Sequence, residues 1–160
     1  MQYALRLVLA AIGLALLQSC STEINGNSHY RTGFEKGRTY VVRQDLNGRV
    51  DTDTLLRYVR NITLLKTPVV PPYKTATEEL VVIPKGTRVL VTTLELTHNI
   101  ESGTQMEFRA EFASGSYFGK TVVLSEVSKA AKLESGGIFS WLMVRDPEFI
   151  GEETTTNQSQ

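Results

Sequence analysis

Apolar and polar positions alternate with a period of two through much of this chain, the mark of strands with one buried face. The clearest run is residues 105–113. Met106, Phe108, Ala110 and Phe112 share one face, and Glu107, Arg109 and Glu111 the other. Residues 87–97 read as a long strand, with Leu90, Leu94 and Leu96 on one side and Val89 and Val91 on the other. Shorter strands are expected at 38–45, 80–83, 117–124 and 138–144, the last centred on Trp141. Turn residues punctuate these runs: Pro84-Lys85-Gly86, Ser114-Gly115-Ser116 and, as a hairpin signal, Asn47-Gly48, because both Asn and Gly tolerate positive φ. Residues 68–73 carry three prolines, which removes backbone donors and predicts an extended, largely unpaired crossover. Residues 125–133 suit one or two turns of helix.

One segment supports two readings. Leu55, Val59, Ile62 and Lys66 recur at helical spacing with Asp53 as a cap, yet 58–65 also alternates as a strand. The strand is preferred, with a helical turn allowed before it. Many short strands, tight turns and little helix make the fold class mainly β, as a small antiparallel barrel or sandwich. That domain is placed at 37–151. The polar stretch 21–36, with Asn25-Gly26-Asn27-Ser28 at its centre, reads as a flexible tether, and 152–160, which has no apolar residue, as a disordered tail.

The N-terminus departs from this pattern. Arg6 precedes 11 uncharged, apolar residues, Leu7 to Leu17, too few to span a bilayer as a helix but the length of a signal-peptide core. The run ends in Leu17-Gln18-Ser19-Cys20. This resembles the lipobox of bacterial lipoproteins, with Leu at −3, a small residue at −1 and Cys at +1. The resemblance implies a signal peptide at 1–19, cleavage before Cys20 and acylation of its thiol and new amine. Each buried CH₂ of such chains contributes about 0.8 kcal/mol, and two or more chains anchor stably. Ser21 at +2, where Asp commonly retains a lipoprotein in the inner membrane, implies the outer membrane, facing the periplasm.

Processing would leave 141 residues, enough for one domain, with 16 basic and 17 acidic side chains. That balance argues against nucleic-acid binding. With Cys20 lipidated no thiol remains for a disulfide, so the core alone must hold the fold. Charge is nevertheless uneven: residues 20–66 are net +3, and 133–160 are net −4. The basic stretch reads as ordinary solvated surface or as a face for anionic headgroups or wall polymer.

Pro84-Lys85-Gly86-Thr87-Arg88-Val89-Leu90-Val91 is similar to the Lys-Gly-Thr-hydrophobic entry of bacterial SH3-like domains, and Gly115-Ser116-Tyr117-Phe118-Gly119-Lys120 to a later turn of such barrels. The resemblance covers only these segments. It implies an SH3-like barrel and, as a second reading of function, a wall-polymer-binding module with Arg38, Arg43, Arg57 and Arg60 as contacts. Tyr117 and Trp141 are the aromatic residues offered for a binding groove.

Catalytic patterns are sparse. His29 lies in the expected tether. His98, between Glu95 and Glu101, has helical spacing on a segment that reads as strand, so the three do not converge on a metal. No Gly-x-Ser-x-Gly elbow or phosphate loop occurs. Glu107 and Glu111 are separated by Arg109, as cross-strand surface charge would be. A hydrolase would have to rest on His98 alone. The sequence therefore predicts a non-catalytic lipoprotein without metal or cofactor, held at a membrane and contacting an envelope protein or peptidoglycan.

Overall fold

The computed structural model describes residues 20–24, 32–52, 59–75, 78–99, 103–132 and 141–153. The strands are β1 (Cys20–Glu23), β2 (Thr39–Val42), β3 (Leu46–Thr52), β4 (Val59–Leu65), β5 (Tyr73–Lys74), β6 (Glu79–Ile83), β7 (Arg88–Asn99), β8 (Gly103–Phe112), β9 (Thr121–Val123), β10 (Ser128–Lys132), β11 (Trp141–Arg145) and β12 (Ile150–Glu152). A single 3₁₀ turn, Ser125–Val127, is the one helical element among the described residues. The chain is mainly β, as its alternation predicts.

One sheet runs in the order β12-β2-β7-β8-β9-β4-β3-β6-β5, and β10 pairs with β11 separately. The long strand β7 is its spine. β8 lies along one edge, while β2 (on Arg88 to Leu90) and β1 (on Glu95 to His98) share the other. The sheet is mixed rather than purely antiparallel: β4 and β9 run parallel, Ile62 beside Val122. Strands β5 to β8 intervene between them in the chain, so no hairpin sets their direction.

One apolar cluster gathers Tyr40, Val42, Leu46, Ile62, Leu64, Ile83, Val89, Val91, Phe108, Phe112, Val122 and Ile150 from eight strands. Each such side chain fully buried contributes about 1.5–3 kcal/mol. A single sheet can gather its own face this way only by curling. Lys66, just past β4, accordingly reaches Asp146, just before β12, with Nζ to Oδ2 at 3.0 Å, although the two strands are far apart in the order. The expected face of β7 changes within the strand. A bulge at Thr92, between the pairs Val91–Ala110 and Thr93–Arg109, shifts the alternation by one residue. Val89, Val91 and Leu94 are therefore buried together, and Leu90 is only half-buried.

Several boundaries differ from the sequence reading. Asn47-Gly48 is not a turn but the start of β3, flanked by β4 and β6. Gly48 is needed there for space: a Cβ would lie 2.7 Å from Ile62 Cγ2 and 3.1 Å from Ile83 Cγ1. The strand expected at 117–124 is confined to Thr121–Val123, because Gly115 and Gly119, at φ +84° and +74°, extend the preceding turn. Residues 125–133 form one 3₁₀ turn and then β10.

The expected tether is also partly built into the fold. Cys20–Glu23 pairs with β7, Ile24 is buried and donates its N–H to the Leu94 carbonyl at 2.7 Å. Phe34 is buried against Tyr40 and Phe108, with ring centroids at 5.2 and 5.4 Å. Tyr40 Oη accepts from Glu35 N and donates to Gly33 O, and Arg145 N donates to Thr32 O. The expected tail likewise begins inside β12 and pairs Glu153 with Arg88. Residues 1–19, with the expected signal peptide, lie outside the described residues.

Gly48→Ala should destabilise the domain by about 1–3 kcal/mol, because the added methyl meets the three branched side chains of Ile62, Ile83 and Val81 with backbone ladders on both sides. Urea unfolding checks this; an unchanged midpoint would show that the three strands part without cost.

Candidate functional site

A cleft of about 270 Å³ lies between β6 and the turn after β8, lined by Pro72, Val81, Ile83, Phe112, Ser114 and Tyr117 among others. Its two walls have different origins. The first is β6, whose outer side carries β5 only opposite Leu80 and Glu79. Among the described residues no strand pairs with Val81, Val82 or Ile83 on that side, because the chain there is the proline-rich crossover. The second wall is the tight turn 114–119, closed by Gly119 N donating to Phe112 O at 2.8 Å and Lys120 N to Tyr117 O at 2.9 Å.

The crossover is held in place by one buried side chain. Asn47 is 1% exposed. Its amide nitrogen donates toward Thr67 Oγ1 at 2.9 Å and Pro68 O at 2.6 Å, and its oxygen accepts from Val70 N at 3.1 Å. The asparagine expected to make a turn thus ties the crossover to β3. Two of the hydroxyls in the cleft are engaged as well: Thr87 Oγ1 donates to Pro84 O at 2.7 Å, and Ser114 Oγ accepts from Arg88 N at 2.9 Å. Tyr117 stacks obliquely on Phe112, centroids 5.8 Å apart. Burial, aided by the negative charge of Glu79, pushes its phenol pKa up, so it remains a neutral hydroxyl. The surface is suited to apolar contact, with no nucleophile and base brought together on it.

The four large apolar side chains exposed among the described residues are Val69, Val70, Tyr73 and Phe118. All four belong to the two segments that flank this cleft. Sequence reasoning singled out Tyr117 and the proline run separately; the fold brings them together.

Of the expected basic contacts, Arg38 and Arg43 are the two whose side chains are described. Arg38 is bound by Glu35 at 3.0 Å and Glu152 at 3.4 Å. Arg43 lies across Gly151, where a Cβ would collide with its guanidinium. Arg57 lies outside the described residues; Arg60 is placed only as a backbone position in β4, and Trp141 only as the partner of Lys132 in β11. Part of the charge imbalance is met within the molecule. Glu152 also binds Arg145 at 3.2 Å, and Asp146 binds Lys66.

His98 is a backbone position in β7, opposite Cys20 and Thr104. Glu95 and Glu107 are directly opposed, and Arg109 Nε binds Glu107 Oε1 at 2.8 Å. That bond, outweighing the opposing effect of burial, raises the Arg109 pKa and offsets the like-charge pair. Among the described residues no three His, Cys, Asp or Glu side chains are placed to hold a metal, and no helix is long and apolar enough to cross a membrane. No protein-family model matches the chain, and no curated protein or solved structure is significantly similar to it.

Asn47→Ala should cost about 1–3 kcal/mol and free the crossover, since Val70 N–H loses its acceptor. Faster hydrogen exchange at Val70, beyond the change at strand amides, is the diagnostic reading. Burial alone would raise the Asp146 pKa, but the Lys66 hydrogen bond, the Glu148 N–H and nearby positive charge together hold it below the usual carboxylate range. A depressed folded pKa contributes stability at neutral pH that is lost as pH falls through it. Asp146→Asn should therefore lower stability by about 1 kcal/mol at pH 7 and flatten its decline below about pH 4. Parallel acid-unfolding curves for the two proteins would contradict this.

Proposed function

We propose that this protein is a lipid-anchored, non-catalytic binding module of the bacterial cell envelope, attached through Cys20 to the outer membrane and facing the periplasm. Its apolar cleft takes an extended segment of a partner envelope protein. The observation that carries the binding reading is the apolar lining of the cleft, where Pro72, Val81, Ile83, Phe112 and Tyr117 meet, with the exposed Val69, Val70, Tyr73 and Phe118 on the chain segments adjoining it. Water is excluded most favourably from such a patch by an apolar partner. The apolar walls formed by Pro72, Val81, Ile83 and Phe112 suit the side chains of an extended segment. The lipobox at Leu17 to Cys20 supports the anchoring.

Wall-polymer binding is less well supported, because Arg38 is neutralised by Glu35 and Glu152. Tyr117, at the rim, is free to serve either ligand.

The test places a photo-crosslinking residue at Phe118, in the lipidated protein in its native membrane, and at Glu111, exposed on β8, as a control. A single protein adduct from position 118, weakened by Val70→Ser and absent from position 111, is the expected result. Equal labelling from both positions would overturn the cleft reading, and retention by purified peptidoglycan with no adduct would transfer the function to wall polymer. Cys20→Ser should release the protein from membranes; an unchanged mature mass and membrane fraction would reject the anchor.

A further inference from the structure

We infer that the β7–β8 hairpin end of the domain rests on the lipid surface and that the cleft is held at the far end, facing away from the membrane. This rests on the lipidation of Cys20 proposed above, but not on what the cleft binds. Cys20 does not hang from a free tether. It opens β1, whose four residues pair with β7 in the register Cys20–His98 to Glu23–Glu95. Ile24 continues the attachment by burying its side chain and bonding Leu94 O. A lipid on Cys20 is thus carried by the sheet itself.

The level of that attachment is set by β7. Beyond the pair His98–Thr104 only Asn99–Gly103 follows in the β7–β8 ladder. The acyl chains therefore leave at one extreme of the longest hairpin, with Gln105, two positions across the sheet from Ser21, close to the headgroups. The cleft lies at the other extreme. Thr87, Phe112 and Ser114 line it, where β7 begins and β8 ends. From His98 back to Thr87 a strand rising about 3.3 Å per residue spans roughly 35 Å, somewhat less with the bulge. The open groove lined by Gln105, Met106 and Met143 falls at the membrane end instead. β1 runs from Cys20 into the domain antiparallel to β7, so the chain enters the domain heading toward the cleft.

The partner surface is thus a lipid headgroup layer under the hairpin end, and the cleft is presented to the aqueous space. The Arg38 and Arg43 region is not near the anchor, despite its proximity in sequence. Arg38 adjoins β2, which meets β7 at Arg88 to Leu90, at the cleft end.

The experiment uses the full lipidated protein in vesicles of phosphatidylethanolamine and phosphatidylglycerol, a small fraction of whose headgroups carry chelated nickel. Single nitroxide labels are placed at Gln105→Cys and Lys85→Cys, both exposed positions. Relaxation enhancement should be several-fold larger at position 105 than at 85. Ile24→Pro, which removes the bond to Leu94 O, should leave vesicle binding intact while shrinking that difference. Equal enhancement at the two positions, or a larger one at 85, with the lipid on Cys20 confirmed by intact mass, would overturn the orientation alone. A mature mass without the lipid would overturn the anchor and the orientation together.

Discussion

A sheet with one apolar face and no α-helix among the described residues to cover it buries that face by curving, helped by the separate β10–β11 pair, whose Met143 packs on the core. Most local peculiarities of this chain serve that curvature. The bulge at Thr92 turns the register of β7 so that Val89, Val91 and Leu94 all point inward along a bending strand. Gly48 lets β4 and β6 press their isoleucines together over β3. The Lys66–Asp146 pair, with Lys66 Nζ also 5.2 Å from the Phe149 ring centroid, ties the far side of the curl to the strand that opens it.

The alternation along β8 was readable because it is unbroken: Phe108, Ala110 and Phe112 are buried where their spacing puts them. The second reading of 58–65 as a strand was readable for the same reason, and the short strand at Leu80 to Ile83 as a continuous apolar run ended by the Pro84-Lys85-Gly86 turn. Period-two logic failed where one residue changed the count. In β7 the inserted Thr92 exchanges the two faces, and no residue type announces a bulge. Asn47-Gly48 misled because its two residues are favoured in turns for positive φ, whereas here the glycine is chosen for its missing Cβ and the asparagine for its hydrogen bonds to residues 67–70. Those partners lie some twenty positions away, beyond any local pattern. The stretch 21–36 was dominated by polar residues, and the two that decide its fate, Ile24 and Phe34, are isolated in it. Their burial depends on β7, Tyr40 and Phe108, so it becomes visible only in three dimensions.

The candidate site was half legible. Tyr117 and the proline run each stood out, but nothing in one dimension joins residues 68–73 to 114–118. The basic residues stood out more strongly and carry less. A chain with a positive first half and a negative end invites the search for an external counter-charge. Here the two ends meet: β12 pairs with β2, which sets Glu152 beside Arg38, and Glu153 reaches Arg88 at the start of β7. Exposed pairs of this kind add only about 0–1 kcal/mol each, and they set a carboxylate against Arg38 and Arg88. What the folded surface leaves unsatisfied is apolar. Val69, Val70, Tyr73 and Phe118 stand in water on the segments that adjoin a cleft lined mainly by apolar side chains, where the Thr87 and Ser114 hydroxyls are already bonded. A ligand that gains by covering them must bring hydrophobic side chains on an extended backbone, and that requirement, more than any charge, defines the partner this surface selects.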